Sequence, residues 1–188
     1  LRIVGQVSQA YIIAESPDGM YLIDQHAAHE RITYERLMNQ RGSGAVESQE
    51  LLIPQVVELS PTAQEILLNA ADQLAEWGFA IEEFGRSVRV RAIPAVMNDG
   101  DLPQALLEVA DHLSGRGGAT PRDWREAMLT TLSCHTSVRA GQTLSFDEMR
   151  GLIAQLERCD SPRTCPHGRP TMILLTITQI ERQFGRIK

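Results

Sequence analysis

The stretch DQHAAHERITYERL, residues Asp24 to Leu37, follows directly after a short apolar run and decides the fold around it. That run, Met20 to Ile23, is preceded by a Pro-Asp-Gly turn signal, which predicts a buried strand that delivers Asp24 at its end. The pattern then changes to that of a helix. Because His26 and Glu30 are four residues apart on this helix, their side chains project from one face, where they could bind a single cation.

Asp24 has two interpretations at the junction between strand and helix. The backbone N–H groups and the dipole at a helix N-terminus favour a carboxylate, so Asp24 could be an ordinary cap. In that case His26 and Glu30 would be a common surface pair. Alternatively, all three side chains belong to a metal site. The spacing alone leaves both interpretations open.

Composition bounds the class of protein. The chain has 188 residues, 43% hydrophobic and 22% charged, which is typical of a soluble globular protein. No apolar run reaches the ~18 residues of a membrane span, and no signal peptide is found. The chain begins at Leu1, so we expect a piece of a longer protein. A net charge of −6 argues against binding nucleic acid by overall electrostatics.

The fold class predicted from the pattern is α+β, with two lobes. Residues Ile3 to Ala14 and Met20 to Ile23 predict a hairpin, and Val56 to Leu113 predict a β-α-β-β-α unit inserted into a lobe made from both chain ends. The predicted boundaries are 1–54 and 116–188 for the lobe made from both chain ends, and 55–115 for the inserted lobe.

Cysteines and histidines recur late in the chain. Cys134 lies within a predicted helix, and Cys165-Pro166-His167 lies in a loop before a strand. The three cysteines, with Cys159, do not describe a disulfide framework, which favours a reducing cytoplasm and makes metal ligation a candidate role. Taken singly, Cys134 is also typical of a small buried hydrophobe, and His167 of a loop residue. No Gly-rich phosphate loop follows a strand, so no ATP site is predicted.

Four segments together resemble the MutL family of DNA mismatch repair proteins. Residues 24–35 match its endonuclease motif DQHA-x-x-E-x-x-x-x-E at each fixed position, including Gln25 and Glu35. The later matches, in the family's order, are Ser133-Cys134-His135 with (A/S)-C-basic, 165–170 with C-P-H-G-R-P, including Arg169, and Phe184-Gly185-Arg186 with F-x-R. The resemblance therefore covers nearly the whole chain.

The resemblance implies a C-terminal domain that forms a homodimer, binds zinc or manganese and nicks one strand of duplex DNA. Its metal-site residues would be Asp24, His26, Glu30, Cys134, Cys165 and His167, with Asp24 and Glu30 as the catalytic carboxylates. Thiolates favour zinc and carboxylates favour manganese, so we expect a mixed site. Glu35 should point away from His26 and pair with Arg31. His135 departs from the family's Arg or Lys, which would weaken a phosphate contact.

Further partners implied are the N-terminal ATPase module of the same protein and, in the cytoplasm, the nucleoid DNA; no membrane partner is expected. A rival hypothesis is a non-catalytic, zinc-stabilised module for dimerisation and docking to the sliding clamp, because structural zinc uses the same ligand types. Asp24 separates the two hypotheses, since a structural zinc site does not need it.

A last segment resembles the Q-x-L-[LI]-x-P motif by which MutL endonucleases bind the replication sliding clamp. Its residues are Gln49, Leu51, Leu52 and Pro54. An extended segment of this kind would place a glutamine and apolar side chains in a surface pocket of the clamp. The alternative is that Leu51, Leu52 and Ile53 are simply core residues. Their exposure decides between the two interpretations.

Overall fold

The computed structural model describes residues 1–97, 102–115, 124–136 and 143–187, and these residues form helices and antiparallel sheets, which confirms the α+β class. The chain divides into two compact units, Leu1–Glu35 with Ser137–Lys188, and Arg36–Thr136. The sequence had placed the divisions after residues 54 and 115, and the second of these adjoins residues outside the described ranges. Within those ranges, no helix is both long and apolar enough to cross a membrane.

The first unit is built on a four-stranded antiparallel sheet with the order β1-β2-β3-β7. Its elements are β1 (Arg2–Val7), β2 (Tyr11–Ser16), β3 (Gly19–Asp24), the start of α1 (Gln25–Ser43), α6 (Phe146–Leu156), β7 (Met172–Thr176) and α7 (Ile177–Gln183). Helix α1 follows β3 without a loop, as the sequence predicted. The junction therefore fixes the direction in which the helix leaves the sheet.

The prediction of one strand over Ile3 to Ala14 was wrong, because this stretch contains two strands. Ser8 and Gln9 have φ angles of 52° and 53°, a left-handed turn that reverses the chain and pairs β1 with β2. Neither residue is Gly or Asn, the types that usually indicate this conformation in a sequence. The first unit therefore begins with three strands rather than a hairpin.

Helix α6 covers the inner face of this sheet. Ser145 caps the helix through a capping box with Glu148, which the pattern Ser-Phe-Asp-Glu is typical of. Ile12, Ile23 and Leu156 are fully buried in the shared core. Each such side chain contributes roughly 1.5–3 kcal/mol by leaving water, so this packing holds β3 and the start of α1 in place.

The second unit contains the predicted β-α-β-β-α arrangement on a three-stranded sheet with the order β4-β6-β5. Its elements are β4 (Ser48–Glu58), α2 (Pro61–Asn69), α3 (Ala71–Ala75), β5 (Ala80–Phe84), β6 (Ser87–Pro94), α4 (Leu102–Leu113) and α5 (Trp124–Thr136). Ser60 caps α2 by accepting a hydrogen bond from the Ala63 N–H at 3.2 Å. The first helix of the predicted β-α-β-β-α unit is divided at Ala70 into α2 and α3.

Candidate metal centre

Asp24 occupies the junction between β3 and α1. Its backbone N–H donates to the Thr171 carbonyl at 2.9 Å, and its Oδ1 accepts a hydrogen bond from the Ala27 N–H at 3.0 Å. This is the geometry of a helix cap, one of the two interpretations that the sequence allowed. The role of Asp24 as a metal-site carboxylate stays a prediction.

Glu30 is the centre of the candidate site. Only 5% of this residue is exposed. Its Oε1 lies 3.2 Å from His26 Nε2, and its Oε2 lies 3.4 Å from His167 Nδ1. The predicted one-turn spacing of His26 and Glu30 is therefore confirmed as a contact. Since burial of an unpaired carboxylate is costly, the two imidazoles indicate a site built for charge at this position.

The loop before β7 places two potential metal ligands, Cys165 and His167, close to Glu30. The Cys165 N–H donates to the Arg169 carbonyl at 2.8 Å, and the Gly168 N–H donates to the Cys165 carbonyl at 3.0 Å. Gly168 has a φ of 80°, which a side chain would strain. This tight turn buries Cys165 to 1% exposure and leaves the imidazole of His167 beside it.

The donor atoms of Glu30, Cys165 and His167 all lie within 4.8 Å of one another. Ligands of a tetrahedral zinc ion, at bond lengths of about 2.0–2.3 Å, are separated by roughly 3.3–3.8 Å. A small inward movement of the side chains would close the remaining gap. The thiol, imidazole and carboxylate donors therefore fit zinc, and the carboxylate also suits manganese.

The other ligand predicted from the sequence, Cys134, lies on α5 in the second unit, and its participation stays a prediction. The neighbouring His135 places its Nε2 3.1 Å from Glu108 Oε2, with 13% of its side chain exposed. The residue that departs from the family pattern thus has an acidic partner within its own unit. This pairing reduces its capacity to contact a phosphate.

The residues expected to support the motifs fall into two groups. Gln25 is buried, and its Oε1 accepts a hydrogen bond from Gln6 Nε2 at 2.6 Å, which is a structural role. Arg169, Phe184 and Arg186 are exposed, with Phe184 at 76%. Their side chains are therefore accessible to a partner molecule.

His29 was given no role from the sequence, although it lies on α1 between His26 and Glu30. Its Nδ1 is buried and has no hydrogen-bond partner among the described residues. Burial, followed by the proximity of His26, lowers the pKa of His29. The imidazole is therefore neutral near pH 7. His29 occupies one of the two variable positions of DQHA-x-x-E, so the motif gave no signal for it.

The predicted clamp-binding segment lies on β4 in the second unit. The pairing of β4 with β6 is irregular between Glu50 and Gln55, as expected of a strand that contains Pro54. Leu52 is fully exposed and Ile53 is 80% exposed. Gln49 Nε2 donates to the Met97 carbonyl at 2.9 Å. Leu52 and Ile53 are thus not core residues.

Comparison with known proteins gives the family. The family model described as the MutL C terminal dimerisation domain matches residues 4–144. The chain is 43% identical to the DNA mismatch repair protein MutL of Phenylobacterium zucineum (strain HLK1), over 96% of this chain and 29% of that protein. For the MutL proteins of Sphingopyxis alaskensis (strain DSM 13593 / LMG 18877 / RB2256) and Acidiphilium cryptum (strain JF-5), the identities are 45% and 46%, each over 97% of this chain, and over 30% and 32% of those proteins.

The chain thus spans about a third or less of the length of these curated relatives. The family model, over residues 4–144, and the relatives, over nearly the whole chain, name the same family. The chain therefore belongs to the MutL C-terminal dimerisation domain family.

Proposed function

We propose that this chain is the metal-dependent endonuclease domain of a MutL-type mismatch repair protein, which nicks one strand of duplex DNA and forms a homodimer. The observation that carries the proposal is the convergence of Glu30, Cys165 and His167 within 4.8 Å, with His26 on the other oxygen of Glu30. These donors come from two elements separated by more than a hundred residues. A surface ion pair would not require such an arrangement.

In the proposed reaction, Glu30, His26, Cys165 and His167 would hold the metal, and Asp24, at the head of α1, would be the second catalytic carboxylate. A bound metal supplies an activated water and stabilises negative charge on the phosphate. The carboxylate of Asp24 would accept a proton from the water that attacks the phosphate. Cys165 favours a zinc ion that organises the site, while the carboxylates favour a catalytic manganese, so the mixed site is retained as the proposal.

The decisive experiment is nicking of supercoiled plasmid in the presence of Mn²⁺, comparing the native chain with Asp24→Asn. Asparagine caps helices about as well as aspartate, so the variant keeps the hydrogen bond to Ala27 while it removes the charge. We expect the native chain to nick and the variant to lose activity with an unchanged circular dichroism spectrum. Equal nicking by the two proteins would refute the catalytic role.

The rival function is a zinc-stabilised dimerisation and docking module without catalysis. The cap made by Asp24 favours it, because the cap explains this residue without any metal. The same experiment decides between the two. A native chain that binds zinc but does not nick DNA, alone or joined to the rest of the protein, would refute catalysis and support the rival function.

The outer face of the first unit's sheet supports homodimerisation. Strand pairing places one apolar side chain after another on this face, opposite the buried one. These residues are Val7, Tyr11, Ile13, Met20, Leu22, Ile173 and Leu175. A sheet face that meets water is normally polar, so this one is suited to a covering layer, and a second copy would supply an identical face about a two-fold axis.

Contact with DNA is proposed to be local and weak, because the net charge is −6. Arg163 and Arg169 are exposed on the loop that carries Cys165 and His167, where they can bind the phosphates that flank the cut. The remaining two thirds of the relatives' length would include the ATPase module, which we propose as a further partner.

The segment Gln49 to Pro54 is proposed to bind the sliding clamp. The exposure of Leu52 and Ile53 supports this, since large apolar side chains held out from a strand suit a partner's pocket. Leu52→Ala should preserve folding and metal content but abolish stimulation of nicking by the clamp. Val56→Ala, which truncates a half-exposed residue on the same strand, is the matched control. Undiminished stimulation in Leu52→Ala would refute the assignment.

A further inference from the structure

We infer that Glu35 and Arg31 are positioning residues that clamp the loop 160–164 to helix α1, and thereby set the distance between Glu30 on the helix and Cys165 on the loop. The inference rests on the proposed metal site. Neither residue is proposed as a metal ligand. Glu35 lies five residues beyond Glu30 and therefore points to a different side of the helix.

Glu35 binds the backbone of the loop with both carboxylate oxygens. Its Oε2 accepts a hydrogen bond from the Asp160 N–H at 2.7 Å, and its Oε1 accepts one from the Ser161 N–H at 3.1 Å. The side chain is 15% exposed. Hydrogen bonds to an ionised acceptor are about twice as strong as neutral ones, and here two successive N–H groups share one carboxylate.

Arg31 grips the same loop at a second point. Its Nε donates to the Thr164 carbonyl at 2.5 Å, and its Nη1 lies 3.6 Å from Glu35 Oε1. The guanidinium also lies 5.3 Å from the centre of the Tyr34 ring, and only 12% of the Arg31 side chain is exposed. These contacts hold the guanidinium in the orientation that its hydrogen bond to the loop requires.

The position of these bonds connects them to the ligands. Arg31 directly follows Glu30, and Thr164 directly precedes Cys165, so the Arg31–Thr164 bond is a crosslink next to the metal donors. On its other side the loop is tied to Thr171, which binds the carbonyls of Pro162 and Arg163. Without Glu35 and Arg31, the loop would be held from the β7 side, and the metal itself would have to order the helix side.

Such preorganisation has a measurable consequence. Partners that orient metal ligands typically change metal affinity by about 10–100-fold when they are removed. We expect Glu35→Ala to weaken zinc binding by a factor in this range. Glu35→Gln keeps one carbonyl oxygen as an acceptor and should recover part of the loss. Arg36→Gln is the matched control on the same helix. It removes an exposed ion pair, in which Arg36 lies 3.7 Å from Glu47, and it should leave the zinc affinity unchanged.

Two measurements separate positioning from general stability. Zinc affinity is measured by competition with a chelator. In the cobalt-substituted protein, the thiolate-to-cobalt absorption band shows whether Cys165 still binds the metal. Hydrogen exchange of residues 159–164 is measured in the metal-free protein. For Glu35→Ala we expect faster exchange confined to this loop, weaker zinc binding, and a retained thiolate band at saturating cobalt.

Each outcome decides. Native zinc affinity and native exchange in Glu35→Ala would overturn the inference while leaving the metal site intact. A native chain that binds no zinc would refute the metal site and this inference with it. If Glu35→Ala does not fold, Glu35→Gln carries the test, with a several-fold loss of affinity supporting the inference and an unchanged affinity overturning it.

Discussion

Replacing Glu30 with glutamine removes the charge at the centre of the candidate site while keeping the shape of the side chain. Glu30 is 5% exposed and contacts His26 and His167 through its two oxygens at 3.2 and 3.4 Å. In the proposed site it is the ligand that bridges the helix and the loop. Zinc should therefore stabilise the native chain and fail to stabilise Glu30→Gln.

The size of the effect follows from linkage. Zinc at 100 times its dissociation constant stabilises a folded protein by about 2.7 kcal/mol. For 188 residues the entropy of unfolding is about 0.4 kcal/mol/K, so the melting temperature should rise by about 7 °C if both units unfold together. It should rise further if the metal-bearing unit unfolds alone. A variant that binds zinc 100-fold more weakly would keep only about 0.4 kcal/mol, or roughly 1 °C.

The assay is thermal unfolding of metal-free protein with and without zinc, at one zinc concentration for all variants. Glu157→Gln is the matched control, because Glu157 is an acid of the same unit whose side chain is 52% exposed. It should show the full native shift. A full shift in Glu30→Gln as well would mean that zinc binds elsewhere, and the proposed ligand set would then be wrong.

Three other outcomes are expected. Ile173→Glu places a charge on the outer sheet face, where Ile173 is 46% exposed. Light scattering at micromolar concentration should then show a folded monomer for the variant and a dimer for the native chain. A variant that remains a dimer would refute the interface. Burial, followed by the nearby Glu35 carboxylate, raises the pKa of Cys159 to about 11. Its alkylation at pH 8 should therefore be roughly 200-fold slower than that of an ordinary thiol, and the alkylation rate should keep rising with pH towards 11. A rate that reaches a plateau near pH 9 would contradict this. Ser60→Ala removes the cap that binds the Ala63 N–H and should lower the free energy of unfolding by about 1 kcal/mol in urea; an unchanged midpoint would exclude the cap's contribution.

The sequence predicted well those features that depend on near neighbours. The contact of His26 with Glu30 follows from one turn of helix, and the Arg31–Glu35 pair at 3.6 Å follows from the same spacing. The approach of His167 to Glu30 has no such local cause. It depends on the pairing of β3 with β7, which no spacing rule encodes, and the family motifs supplied that expectation.

The errors have equally physical reasons. The turn at Ser8 and Gln9 was missed because neither residue type prefers a left-handed backbone, so the strand appeared continuous. The role of Glu35 towards Asp160 and Ser161 was missed because its partners are backbone N–H groups. Such partners leave no residue type in the sequence to find. Spacing on the helix could only suggest the pair with Arg31.

Asp24 shows how one residue can satisfy a local rule and serve a distant site. Its Oδ1 accepts a hydrogen bond from the Ala27 N–H, which starts α1 directly at the end of β3, so that the first helical turn already contains His26, one turn before Glu30. The cap thus sets the geometry on which the cluster depends, whatever the charge of Asp24 does in the reaction. A variant that lost the cap would disturb the ligands as well and would prove nothing about catalysis. Because asparagine keeps the cap, Asp24→Asn separates the charge from the geometry, and activity becomes a measure of the charge alone.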